Sequence, residues 1–130
     1  MSIRYEEAPD VKELVDEIQK TISFDNVVVE RVICVRSKGS KSKRIIARIH
    51  GLSRVWQEFL NMKSYYLIEV ISENYDCQSL EDKEKTIIHE LLHIPQGFKG
   101  GFRPHKGWIN RRKIDNLHTL LVEKRRMKRL

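Results

Sequence analysis

Hydrophobic positions recur along this chain with two different periods, and the switches between them divide it into segments. After Pro9, the residues Val11, Leu14, Val15 and Ile18 are spaced three and four apart, which puts them on one stripe of a helix. Acidic side chains crowd its early turns, where the positive end of the helix dipole favours them. Residues 26–35 are rich in valine, isoleucine and cysteine and predict a strand. Residues 37–43 have turn composition, and residues 44–49 alternate polar with apolar, so the two flanks predict a hairpin with a basic loop. Residues 52–61 predict a short helix that buries Val55, Trp56, Phe59 and Leu60, and residues 65–71 a third strand.

The clearest helix follows. Ser79-Leu80-Glu81-Asp82 has the form of a capping box, in which a serine hydroxyl and an acid three residues on satisfy orphan amides. Leu80, Ile87, Ile88, Leu91 and Leu92 then supply an apolar face. Pro95 disfavours helical geometry at Ile94, so the helix ends just after His93. Residues 96–105 form a glycine-rich loop, and residues 107–128 a last helix burying Ile114, Leu117, Leu120 and Leu121. The order predicts an α+β fold: a single domain over residues 1–130, with about three strands packed on the capped helix and helices at both ends.

Length and composition agree with one globular domain: 130 residues, 40% hydrophobic and 33% charged. No apolar run approaches the roughly 18–20 residues that cross a bilayer, and the first residues lack the pattern of a signal peptide. Two cysteines, Cys34 and Cys77, make no disulfide framework. These features predict a cytoplasmic protein with no membrane partner. The net charge of +7 is unevenly spread. Residues 1–35 are acidic overall, residues 36–48 hold basic residues and no acid, and residues 111–130 form a basic C-terminal helix. A phosphate-rich partner, DNA or a DNA-bound protein, is one reading of that polarity, and a solvated charged surface is the other.

His89-Glu90-Leu91-Leu92-His93 lies inside the capped helix. Residues four apart on a helix stand one above the other, so both imidazoles can reach one zinc ion at about 2.0–2.1 Å. Glu90 is turned by roughly 100° about the axis. Its carboxylate therefore sits beside the ion, placed to act as the base for a water molecule whose acidity zinc raises. The apolar neighbours make the helix a buried one, where histidines without a partner are costly.

Catalytic zinc sites commonly use three protein ligands. His105, His118, Asp115 and Glu123 are the candidates. His105 is favoured because it follows the glycine-rich loop and is stiffened by Pro104. His118 falls on the apolar stripe of the last helix, as core histidines do, and the two acids lie among basic residues that can pair with them. Gln96 and Lys99 stand where a metzincin needs Gly and His, which excludes that subclass. Cys77 is separated from His89 by a helical stretch of about 15 Å from Ser79 onward, which disfavours a thiolate ligand. His50 reads as a surface or structural residue.

Residues 66–73, then Ser79 and Glu81, then Ile88-His89-Glu90-Leu91-Leu92-His93-Ile94-Pro95 and Gly100-Gly101-Phe102-Arg103-Pro104-His105, resemble the metallopeptidase family of archaeal and phage proteins. That family is similar to the minimal SprT-like and WLM-type zincins. The resemblance spans about residues 25–120 and implies a zincin-like domain with Zn2+ on His89, His93 and His105 and Glu90 as catalytic residue. His105-Lys106-Gly107-Trp108 is similar to the H-G-x-x-W region of SprT-like proteins, with the tryptophan three residues after the histidine rather than four. Some of those relatives act on proteins bound to DNA.

The function expected is zinc-dependent hydrolysis of a peptide or protein substrate. Glu90 deprotonates the attacking water, and the third strand offers backbone hydrogen bonds to an extended chain. Arg103, Lys106 and His118 are candidate oxyanion donors. The rivals are a nucleic-acid-associated protein whose zinc is structural and a zinc hydrolase acting on something other than peptides. A glutamate between the histidines favours catalysis, since a structural site has no need of it.

Overall fold

Strand order is where the hydrophobic pattern finds its physical solution. The computed structural model describes residues 2–24, 27–95 and 109–129. Its four strands are β1 (Arg4–Glu7), β2 (Val32–Lys38), β3 (Ala47–Gly51) and β4 (Tyr66–Ile71), ordered β1-β2-β4-β3 across one sheet. The most apolar strand, β4, takes an interior position, parallel to β2 on one side and antiparallel to β3 on the other. The hairpin expected between residues 26–35 and 44–49 therefore does not form, because β4 lies between its two arms. Polar alternation in β3 suits an edge, whereas the continuous apolar run of β4 needs both flanks covered.

β1 is the strand that the apolar pattern misses. Its sequence, Arg-Tyr-Glu-Glu, is exposed throughout, so no alternation marks it. It is held by the antiparallel ladder to β2 and by Lys38 Nζ, 3.1 Å from Glu6 Oε1. β2 begins later than expected, after a single 3-10 turn at Val29–Arg31.

The helices are α1 (Pro9–Ile22), α2 (Arg54–Phe59), α3 (Ser72–Tyr75), α4 (Leu80–Leu92) and α5 (Arg111–Lys128). Side chains alternate across a sheet. One face therefore carries Val32 and Cys34 of β2, Tyr66, Ile68 and Val70 of β4, and Ala47 and Ile49 of β3. That face meets Val11, Val15 and Ile18 of α1 and Ile87, Ile88 and Leu91 of α4 in one core, which Leu121 of α5 joins. The other face exposes Ile33, Arg48 and His50, with His50 Nε2 2.8 Å from Glu69 Oε1. No helix among the described residues is long and apolar enough to cross a membrane.

Several basic residues are neutralised inside the fold. Arg36 spans Asp10 and Asp76, with 2.7 Å contacts to each. Arg125 of α5 pairs with Glu17 of α1 and with Glu84 of α4, and Glu84 Oε1 lies 2.9 Å from His118 Nε2. This network, buried at Glu84 and His118 and partly exposed at Arg125 and Glu17, ties three helices together. Exposed cations remain on α5 at Arg111, Arg112, Arg126 and Lys128.

One expectation fails clearly. Val55, Trp56 and Phe59 do lie on a helix, α2, with Leu60 capping its end, but the four are 65%, 60%, 85% and 51% exposed. The helix buries none of its residues: Arg54 and Glu58 are exposed too, and only Gln57 is partly covered, its Nε2 donating to the Leu52 carbonyl at 2.7 Å. Leu80, assigned to the apolar face of α4, is likewise exposed.

Candidate metal centre

α4 is built to begin and end where the sequence requires. Ser79 Oγ accepts from the Asp82 amide at 3.2 Å, and Glu81 and Asp82 sit in the first turn against the positive helix end. His93 is the C-terminal cap residue, two residues before Pro95. Ile87, Ile88, Leu91 and Leu92 are buried, which fixes the rotation of the helix. His89 and His93, both half-buried, then share the face away from that core, with ring centroids 5.2 Å apart and planes tilted by 33°.

Glu90 lies between the imidazoles and the core. One donor atom from each of His89, Glu90 and His93 can be chosen so that all lie within 4.8 Å of one another, the one such trio among the described residues. Two nitrogens on one tetrahedral zinc stand about 3.4 Å apart, from bonds near 2.05 Å. Small side-chain adjustments reach that spacing, so the donor set fits a divalent cation. Glu90 is buried, and burial pushes its carboxyl up to about 7. A base near neutrality is suited to taking a proton at physiological pH, and a cation beside it favours its charged form.

His89 also lines a groove of about 250 Å3 between α4 and the first turns of α5, shared with Arg111, Ile114 and Asp115. α4 also packs against β3. The hydrogen bonds from Ile71 N to Ile46 O at 2.8 Å and from Leu52 N to Tyr65 O at 3.0 Å set the phase of the β3–β4 ladder. Residues 46, 48, 50 and 52 thus turn their backbone groups toward β4, and Ala47, Ile49 and Gly51 turn theirs outward. No strand among the described residues pairs with that outer edge. The strand expected to receive an extended chain, residues 65–71, is β4, whose two edges are both occupied; the available edge is β3.

Of the other residues singled out in the sequence, His118 is buried against Glu84 and Asp115 pairs with Lys85 at 3.2 Å. His118 is thus paired with Glu84 inside the core and is not part of the trio. Glu123 and Cys77 are exposed, and neither joins the trio. His105, Arg103, Lys106, Trp108 and the glycine-rich loop lie outside the described residues. The outward edge of β3 was missed because strand order is not encoded in local alternation.

No curated protein and no solved structure matches the chain significantly. A family model described as "putative phage metallopeptidase" matches residues 3–127, a span that runs from before β1 into the last turn of α5. Such a family implies a metal ion and a peptide or protein substrate, in keeping with the trio on α4. The chain belongs to this phage metallopeptidase family.

Proposed function

We propose that the chain is a zinc-dependent peptidase of zincin type, a single domain in which His89, His93 and His105 hold the ion and Glu90 is the catalytic base. The observation that carries this is the placement of Glu90, a buried carboxyl beside two imidazoles one helical turn apart. A structural metal site has no use for such a group, which speaks against a purely nucleic-acid-associated role. The outward backbone of Ala47, Ile49 and Gly51 favours an extended polypeptide over other hydrolysable substrates.

Zinc, when bound, supplies Lewis acidity that makes a carbonyl more electrophilic and a water molecule more acidic. The protein does the rest. His89 and His93 orient the reaction at the end of α4, and β3 aligns the substrate backbone beside it. A Glu90 carboxylate oxygen takes the proton of the attacking water and passes it to the departing amide nitrogen. Partial burial of the site excludes competing bulk water.

Two free cysteines, buried Cys34 and exposed Cys77, support a reducing compartment such as the cytoplasm. The exposed cations of α5 support a DNA-bound protein as the substrate's setting. A DNA titration across salt concentrations tests that setting, and salt-independent binding would exclude it. For the enzyme itself, Glu90→Gln is expected to keep zinc and lose turnover by at least about a hundredfold. Full activity in that variant refutes the assignment of the base.

A further inference from the structure

α2 is an amphipathic helix whose apolar side is left uncovered. Val55, Trp56, Phe59 and Leu60 share one side and are 65%, 60%, 85% and 51% exposed, and Met62 beyond the helix is 43% exposed. Together these present on the order of 500 Å2 of apolar surface, the size at which a patch on a monomer usually serves a function. Its place in the fold is specific. The last outward-facing residue of β3, Gly51, precedes the Ser53 cap of α2 by two positions. α4, which carries His89 and Glu90 with His93 at its cap, packs against β3 as well.

We propose that α2 is the docking site for large apolar side chains of the substrate, so that the enzyme selects unfolded or extended polypeptide segments rich in such residues. The proposal rests on the peptidase reading above. A peptide laid along Ala47, Ile49 and Gly51 advances about 3.3 Å per residue, and the chain that carries this edge enters α2 three residues after Gly51. Two or three large side chains would cover the patch. Folded proteins bury clusters of that kind, whereas unfolded chains display them. A second copy of this chain is the lesser occupant, since a stable interface takes about 800 Å2 from each partner.

The test uses the full-length zinc-loaded protein carrying Glu90→Gln and fluorescein-labelled extended peptides with or without a Leu-Phe-Leu block. Trp56→Ser and Phe59→Ser alter exposed side chains, so thermal unfolding should be unchanged. Each is expected to weaken the block-containing peptide about tenfold by anisotropy and to leave the block-free peptide unaffected. In the Glu90 enzyme the same substitutions should raise KM for the block-containing peptide without lowering kcat. Unchanged affinity for that peptide overturns the proposal, and so does finding that the substitutions instead dissociate a dimer or abolish binding to phosphatidylglycerol vesicles. If the wild-type enzyme cleaves no peptide at all, the peptidase reading fails, while the anisotropy still decides whether α2 is a docking site.

Discussion

Arg125→Met asks how much of the fold depends on one buried charge network. The guanidinium of Arg125 pairs with Glu17 on α1 and lies 2.5 Å from Glu84 Oε2 on α4, and the Glu84 side chain is only 4% exposed. Methionine keeps the aliphatic stem and removes the charge, leaving Glu84 with His118 as its remaining partner. Stripping one member from a buried pair costs about 3–5 kcal/mol, while the Glu17 contact, about half exposed, adds less than about 1. Because Arg125 itself is partly solvated, the lower end applies, about 3 kcal/mol. An unfolding entropy of about 2.1 cal/mol/K per residue over the 130 residues converts this to a fall in Tm of about 10 °C. Glu84→Gln combined with Arg125→Met should recover part of the loss, because a neutral amide tolerates burial without the cation. Calorimetry and urea denaturation of both single variants and the double variant would measure the coupling. A loss below about 1 kcal/mol for Arg125→Met, or strict additivity in the double variant, would refute the idea that this network fastens α5 to the rest of the molecule.

Further outcomes follow from other parts of the structure. Ser79→Ala removes the acceptor for the Asp82 amide and should cost about 1 kcal/mol, seen as a Tm lower by about 4 °C. The acid limb of stability should depend on Arg36: its hydrogen bond holds the Asp10 carboxyl below the usual range, and Asp76, despite the opposing effect of burial, is lowered by Ser72 and Arg36. Carboxyls depressed in the folded state stabilise it above their unfolded values near 4, and that contribution drains away as pH falls below about 4. Arg36→Met should therefore lose stability at pH 7 and show a shallower decline of Tm between about pH 5 and 3; an unchanged slope would contradict the assignment. Metal analysis should find His105→Ala depleted of zinc and His118→Ala replete but less stable, since His118 is bound to Glu84 in the core.

The centre of this molecule was more legible in the sequence than its periphery. His89, Glu90 and His93 are four positions apart at most, so helical periodicity alone places them, and the Ser79 cap and Pro95 stop fix the helix that carries them. Core residues of α1 and α4 could be read for the same reason: a local period reports which side is buried. Strand order could not, because β2, β3 and β4 each satisfy their alternation beside more than one neighbour. What decides the order is global, namely that the continuous apolar run of β4 requires cover on both flanks while the Arg48 and His50 positions of β3 do not. β1 escaped notice because an exposed edge strand needs no apolar residue at all. The network around Glu84 was equally hidden, since its members come from α1, α4 and α5, and His118 could be recognised only as a histidine on an apolar stripe.

α2 is the instructive failure. Its stripe of Val55, Trp56, Phe59 and Leu60 obeys the rule for a helix packed against a core, yet the rule states only that such a stripe needs a cover, not that the same chain provides it. The core of this domain is complete without α2: β2 and β4 are closed over by α1, α4 and α5. Selection for stability alone would favour polar replacements at Trp56 and Phe59, because exposed aromatic groups add little to folding and invite association. Where local pattern and tertiary placement disagree in this way, three residues beyond a strand edge whose backbone faces outward, the proposed docking of substrate gives the disagreement a reason. The helix was expected at this place and is found there; what the local pattern could not tell is that its apolar side faces solvent.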